Sequence, residues 1–438
     1  MTCAFVPPYL LRRIAATSQD PAAVETLEED LGVRAARGTA TAGQAATAAA
    51  GPAWSVHTAE NRTTLPGRRV RIAGEPAVGD VAVDEAAHGV QASLDLAAAY
   101  GRASYDGDGA TVVATVHYGQ RYDNAFWNGT QLVFGDGDGR VFERFTKPVD
   151  VLGHEFAHAV TEHTAGLVYQ DQPGALNESF SDVFAACLKQ RLLGQQAGDG
   201  DWLIGAGLFV PGIEARALRD MAAPGTAYDD PVLGRDPQVG HLDDFVVTED
   251  DNGGVHLNSG IPNRAFHLAA TAVGGTSWEG AGRIWWTALT GGAAGPHTDF
   301  AGFAAITVDE AGSHRSAVEA AWAEVGVVPG SAPAPPATGP AVPGSVRQVV
   351  VRRSGGFTGR SVEARRDLTA DDPVVHEARA LLDRIDFAAA GQGQSMPDMF
   401  VYTFEVPGRS PVSVPEQHLT ADLRRLADLV LRDDTAEA

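Results

Sequence analysis

The sequence predicts an α+β protein: a two-lobed domain, β-rich first and helical second, followed by a smaller α+β domain. Three observations predict this. Strand-like runs, RRVRIA at 68–73 and ATVVATVHYG at 110–119, flank an amphipathic helix from Val83 to Tyr100. Two further helical stretches carry His154, Glu155 and His158, then Glu178 and Asp182, after which the pattern stays mostly helical to residue 328. A Pro/Ala/Gly tract at 329–345 then sets off a last block with its own strand and helix patterns.

At 438 residues the chain is expected to hold two or three domains. Hydrophobic residues at 44% and charged residues at 20% are in the range of a globular protein. The net charge of −23 argues against nucleic acid or an anionic membrane as partner. No run of about 18 apolar residues occurs, so no membrane-spanning helix is expected. The start, MTCAFVPPYLLRRIAA, has no basic leading region and is interrupted by Pro7 and Pro8. It does not read as a secretory signal, so a cytoplasmic location or export by a non-classical route is expected. With only Cys3 and Cys187, no structural disulfide is expected.

Residues 1–53 differ in character from the rest of the chain. Apolar Phe5, Val6, Tyr9, Leu10 and Leu11 surround the Pro-Pro pair, a short helix is expected from Pro21 to Leu31, and the tract at 39–53 has nothing to pack. Such a tract is a flexible, cleavable linker.

The chemistry centres on 153–182. His154 and His158 are four residues apart, on one face of a helix, with Glu155 beside the first. This HExxH pattern binds zinc through the two histidines and uses the glutamate as general base. Gly166 and the QPGA turn are expected to end that helix, and a second, beginning near Ala175, carries Asn177, Glu178 and Asp182. Glu178 completes a His2Glu set with an open fourth position. Asp182, one turn on, is placed to accept the free N–H of His154.

At these residues the chain resembles the thermolysin family of zinc endopeptidases, and more closely its short-propeptide, protealysin-like branch. The resemblance is carried by NAFWNGTQLVFGDGDG at 124–139, HEFAHAVTEHTAGLVYQ at 154–170, NESFSD at 177–182 and DNGGVHLNSGIPNRAF at 251–266, in the family's order. It implies a zinc protease domain over 54–328 and a propeptide over 1–53 that covers the cleft until it is cut away. It implies that Asn124 and Ala125 bind the substrate backbone as an edge strand and that Arg219 contacts the carbonyl near the scissile bond. Phe142, Val151 and Leu218 would line the pocket for the residue after the cut, giving a preference for apolar side chains there. Asp251 would orient His256, and His256 and Tyr169 would stabilise the oxyanion. The family also binds structural calcium beside the zinc. Asp150 and Asp201 match that site, but Lys189 stands where the family has a glutamate, so the paired calcium site is expected to be absent. Cys3 could place a thiolate on the zinc, although an apolar anchor in the cleft fits the composition of this segment better.

Beyond the 329–345 linker, residues 346–438 read as a strand in RQVVVRRSGGF, a helix from Asp372 to Phe387, a strand in MFVYTFEV and a helix from Thr420 to Leu431. VRRSGGFTG with DMFVYTFEV resembles emfourin, an inhibitor of protealysin-type peptidases. That implies an autoinhibited protease whose C-terminal domain acts in cis or in trans on peptide-cutting partners of its own kind. A linker of this length spans about 50 Å at ~3.1 Å per residue. Two other readings remain open at this point: a stably inhibited, non-proteolytic binding protein, and a protease with an accessory docking domain.

Overall fold

The structure is a computed structural model that describes residues 3–18, 21–39, 51–330, 348–355, 362–368, 373–385, 400–406 and 412–431. Most of the 39–53 tract, nearly all of the 329–345 linker and the side chain of Cys3 lie outside the described residues. The chain divides into two compact units, 1–337 and 338–438.

The first unit opens with a short strand, β1 (Cys3–Ala4), and two helices, α1 (Pro8–Ser18) and α2 (Pro21–Thr39). The Pro-Pro pair does not leave this segment irregular. Pro8 takes the first position of α1, where a helix has no use for the missing N–H. The second helix also runs past the expected Leu31.

A six-stranded sheet comes next, built from β1 with β2 (Trp54–Thr58), β3 (Arg68–Ile72), β4 (Val112–Val116), β5 (Ala125–Trp127) and β6 (Leu132–Phe134), in the order β1-β5-β6-β4-β2-β3. The central β4 pairs in parallel with β2 and β6, and its VVATV run is almost wholly buried, as a strand covered on both faces should be. Helix α3 (Val81–Ala99) packs against this sheet, and Asp80 caps it by accepting from the Ala82 and Val83 N–H groups.

Two long helices join the sheet to the second lobe: α4 (Val149–Glu162) and α5 (Asp171–Leu193). They approach closely because Gly153 faces α5. A Cβ there would lie 2.8 Å from Leu188 Cδ2 and 3.3 Å from the Ala185 Cα. Helix α5 starts at Asp171 rather than near Ala175, so QPGA forms its first turn instead of a separate loop. Pro173 is tolerated because first-turn N–H groups have no partner inside a helix.

From 194 to 250 the chain is mostly irregular, against the helical expectation. It carries short strand pairs, β7 (Leu203–Ile204) with β8 (Arg219–Asp220) and β9 (Asp229–Asp230) with β10 (Gly234–Arg235), and two single 3-10 turns, at Ala197–Asp199 and Leu242–Asp244. The reason is local: the carboxylates of Asp220, Asp230 and Asp236 each accept backbone N–H groups nearby, holding turns where a helix would have used those donors. Helices resume as α6 (Asp251–Asn258), α7 (Gly260–Val273), α8 (Ala281–Thr290), α9 (Phe300–Glu310) and α10 (Arg315–Glu324).

The second unit is an antiparallel sheet with helices α11 (Pro373–Arg384) and α12 (Ala421–Leu431). Its strands β11 (Gln348–Gly355), β12 (Val362–Asp367), β13 (Phe400–Glu405) and β14 (Val412–Pro415) run in the order β12-β11-β13-β14. Val349, Val351, Phe404 and Val414 from the sheet share a core with Ala378, Leu381, Leu423 and Leu426 from the helices. The edge strands β12 and β14 went unread in the sequence.

Candidate active site and metal centre

Helices α4 and α5 supply the centre. His154 Nε2 and His158 Nε2 point at each other 2.9 Å apart, and Glu178 brings its two oxygens to 3.5 and 3.6 Å from them. The outward ring nitrogens are held from behind: His154 Nδ1 lies 2.9 Å from Asp182 Oδ1, and His158 Nδ1 lies 2.8 Å from Asn177 Oδ1. These back contacts fix each ring's orientation and leave both Nε2 atoms facing one point. Among the described residues this is the one group of three ligating side chains whose donor atoms fall within 4.8 Å of one another. Two imidazoles and a carboxylate, with room for a fourth ligand, is the donor set of a catalytic zinc.

The protonation pattern follows from this crowding. Burial alone would lower His154, but its hydrogen bonds to Asp182 and Glu178 outweigh that and raise it to about 9. Burial and the neighbouring His154 charge push His158 down to about 3. Burial would raise Glu178, yet the three histidines around it hold it well below the usual carboxylate range. Such a cluster of opposed shifts marks a functional site.

Glu155 is fully buried beside the ligands, and no hydrogen bond of ordinary geometry reaches either of its oxygens. Burial pushes its carboxyl up to about 8, against the pull of the charged His154 ring.

His256 reaches the same point from α6. The sequence DNGG opens this element with four consecutive left-handed residues: Asp251 at φ 53°, Asn252 at 51°, Gly253 at 81° and Gly254 at 72°. Asp and Asn tolerate that region better than other side chains, and glycine does so freely. The turn folds the Asp251 carboxylate back onto His256, at 3.0 Å from its backbone N and 2.7 Å from Nδ1. Burial would lower His256, but Asp251 and Glu178 outweigh it and raise it. Its Nε2 faces Tyr169 Oη at 3.3 Å and Glu178 Oε2 at 3.5 Å, and the Tyr169 hydroxyl also donates to Glu178.

Arg219, on β8, sends two hydrogen bonds of 2.8 Å to Asp182, and Asn263 on α7 donates to the same carboxylate at 2.8 Å. Burial would raise Asp182, but Arg219 and His154 outweigh it and draw it down to about 2. Asn263 and the back contact made by Asn177 were not read in the sequence. Asn177 precedes Glu178 directly, and that adjacency was the available signal.

The remaining residues singled out in the sequence gather around the N-terminal segment. β1 pairs antiparallel with the edge strand β5, Cys3 opposite Trp127 and Ala4 opposite Phe126. Phe5 N–H donates to Ala125 O at 3.0 Å, Val6 N–H donates to Asn124 Oδ1 at 2.8 Å, and Arg219 donates to Phe5 O at 3.2 Å. The Phe5 ring meets His154 edge-on at 5.0 Å and lies under the Arg219 guanidinium at 4.8 Å. It belongs to the same buried cluster as Phe142, Val151 and Leu218. Ala4 O faces His256 Nε2 at 3.2 Å. Of the apolar residues expected to anchor this segment, Phe5 is the one whose ring lies against His154 and Arg219.

Residues 54–162 match the family described as "Thermolysin metallopeptidase, catalytic domain", and residues 165–327 match "Thermolysin metallopeptidase, alpha-helical domain". An extracellular metalloprotease of Pectobacterium carotovorum subsp. carotovorum is 48% identical over 334 residues, covering 74% of this chain and 96% of that protein. The chain belongs to the thermolysin family of metallopeptidases. Protease PrtS of Photorhabdus sp. (strain Az29) is 46% identical over 282 residues, 62% of this chain and 76% of its own length. The solved precursor of protealysin, a metalloproteinase from Serratia proteamaculans, superposes with a TM-score of 0.68 at 47% identity, covering 74% of this chain and all of that one. Residues 351–431 match emfourin. This thermolysin-family chain is therefore a zinc metalloendopeptidase with an inhibitor-like C-terminal domain, and its His154, His158 and Glu178 form the donor group that suits the family's zinc.

Proposed function

We propose that the chain hydrolyses peptide bonds that precede apolar residues and that it is made with its own N-terminal segment lying in the substrate groove. The observation that carries this reading is Phe5. An apolar ring lies between His154 and Arg219, directly after the strand β1 that pairs with β5, and its own N–H continues the bonding to Ala125. A substrate strand would add to the same edge.

His154, His158 and Glu178 would hold the zinc, which when bound would supply a water of lowered pKa and a Lewis acid for the scissile carbonyl. Glu155 takes a proton from the attacking water and delivers it to the leaving nitrogen. His256, oriented by Asp251, and Tyr169 donate to the oxygen on which negative charge develops. Arg219 and Asn124 fix the backbone after the cut, and Ala125 accepts from the amide of the residue that fills the pocket. Asp182 positions both His154 and Arg219.

Lys189 takes the role of a structural cation. Its ammonium lies 3.1 Å from Asp150 and 3.2 Å from Asp201, and it donates to the Leu203 carbonyl. A protein held this way does not need the paired calcium. The emfourin-like unit restrains the peptidase after the propeptide has gone, in cis or in trans; tethering gives it an effective concentration of order mM where the linker can span the distance.

The test is hydrolysis of a fluorogenic peptide with Leu or Phe after the cut. Full-length protein should be nearly silent, and Phe5→Asp, which places a charge in an apolar pocket, should raise zinc-dependent activity at least tenfold in a chain of residues 1–330, which lacks the restraining emfourin-like unit. An inactive Phe5→Asp protein that is folded and zinc-loaded would return the non-proteolytic reading to first place.

A further inference from the structure

The N-terminal strand does more than fill space: its contacts select one peptide bond. Phe5 lies in the buried cluster that includes Phe142, Val151 and Leu218, and holds its N–H on Ala125 O and its carbonyl on Arg219. The residue before it, Ala4, turns its carbonyl oxygen to His256 Nε2 at 3.2 Å. His256 Nε2 is in turn 3.5 Å from the ligand carboxylate of Glu178 and 3.3 Å from Tyr169 Oη. The Ala4–Phe5 bond thus spans the site, with its carbonyl on the side of the two oxyanion donors and its nitrogen on the side of the pocket. The carboxylate of Glu155 lies buried in the same centre.

We infer that Ala4–Phe5 is a self-cleavage site, and that the enzyme removes its own first four residues while the rest of the propeptide stays seated. This rests on the peptidase reading above. Water adds to the Ala4 carbonyl carbon, the bond to the Phe5 nitrogen breaks, and Glu155 carries one water proton to that nitrogen. One water is consumed, and a carboxyl group on Ala4 and an amine on Phe5 are formed. Proximity favours the reaction, because the bond is held in place by its own fold and needs no encounter.

The two products separate unequally. Among the described residues, the released tetrapeptide keeps the β1 pairing to β5 and the Ala4 contact with His256. The new terminus at Phe5 keeps the Phe5 ring contacts, the Val6 bonds to Asn124 at 2.8 and 3.2 Å, and all of α1. Helix α2 adds a second anchor: Tyr118 donates to Glu29 at 2.6 Å, Tyr122 donates to Asp30, and Asn124 donates to Asp30 at 3.0 Å. Inhibition therefore survives this cut, and activation needs a later event.

The test uses the full chain loaded with zinc and followed by intact-mass spectrometry. The expected result is a propeptide that begins at Phe5, whether or not the 39–53 tract is also cut. Glu155→Ala should keep its full N-terminus, Phe5→Leu should still be trimmed, and Phe5→Asp should be trimmed at least tenfold more slowly. A second readout does not depend on turnover. In Glu155→Ala protein carrying cobalt and labelled with ¹³C, the Ala4 carbonyl should be broadened more than any carbonyl of α1. An intact N-terminus in wild-type protein, while Phe5→Asp in a chain of residues 1–330 hydrolyses an added peptide, overturns the inference and leaves the peptidase reading standing. So does an Ala4 carbonyl unaffected by bound cobalt. If neither protein hydrolyses anything, the peptidase reading falls first and the inference falls with it.

Discussion

Helices α4 and α5 build two buried polar clusters that are resolved in opposite ways. Toward the cleft, His154, His158 and Glu178 converge with their donor atoms left for an external ion. Eleven residues beyond Glu178 on α5, Lys189 places an ammonium between Asp150 and Asp201. Asp150 is 1% exposed, so its charge needs a partner in either case. The first cluster takes a metal because its chemistry needs an open coordination position. In the second, a side-chain ammonium already supplies the positive charge between the two carboxylates. A third cluster in the β-rich lobe uses an imidazolium in the same way: His117 lies 2.8 Å from Asp136 and 3.2 Å from Asp80.

The largest effect expected is at the catalytic cluster. Glu155→Ala should lower turnover of the activated enzyme by roughly 10²–10⁴-fold while zinc content, measured by atomic absorption, stays at one per chain. Full activity in that variant would break the mechanism. Next comes the lysine cluster. Lys189→Met leaves the Asp150 charge buried without its ammonium and should destabilise the protein by about 3–5 kcal/mol in chemical denaturation. Lys189→Glu should make the melting temperature rise with added calcium, which wild-type protein should not show. A calcium response in wild type would erase the contrast between the two clusters.

A smaller effect is expected behind the metal. Asp182→Asn keeps the shape but weakens the hold on His154 and Arg219, and should lower zinc affinity about 10–100-fold in chelator competition. The smallest concerns His117. Hydrogen bonds to Asp136, opposed by burial, raise it to about 9, above an unfolded value near 6.5. A raised folded value means the contribution is fully present below pH 6.5 and is lost as the pH climbs through about 9. The melting-temperature gap between wild type and His117→Asn should therefore shrink over that window. Asn suits the left-handed backbone at this position, φ 54°. Because the ring is partly exposed, the effect should be on the order of 1 kcal/mol.

Much of the centre was legible. HExxH fixes its own face through helix periodicity, and Glu178 with Asp182 repeats that spacing on α5. The long helix α5 was placed correctly although it starts earlier than expected, because Pro173 reads as a breaker yet sits in a first turn. DNGG could be read as a turn, but not as a run of left-handed residues aimed at His256. The segment at 194–250 was misread because aspartate side chains there compete with the helix for backbone donors.

What the sequence determined by itself is what local spacing can encode: helix faces, the group of metal-ligating side chains, and the breaks between blocks. What only the tertiary structure decided is what distant segments do together. Val6 bonds to Asn124, Arg219 bridges Asp182 and Phe5, and Asn263 closes on Asp182 from a third element. The last two of these reach across 81 positions, from Asp182 to Asn263, and 214 positions, from Phe5 to Arg219. No periodicity links such positions; packing two lobes and an N-terminal strand around one buried charge cluster does, because each buried carboxylate must find its donors wherever the chain provides them.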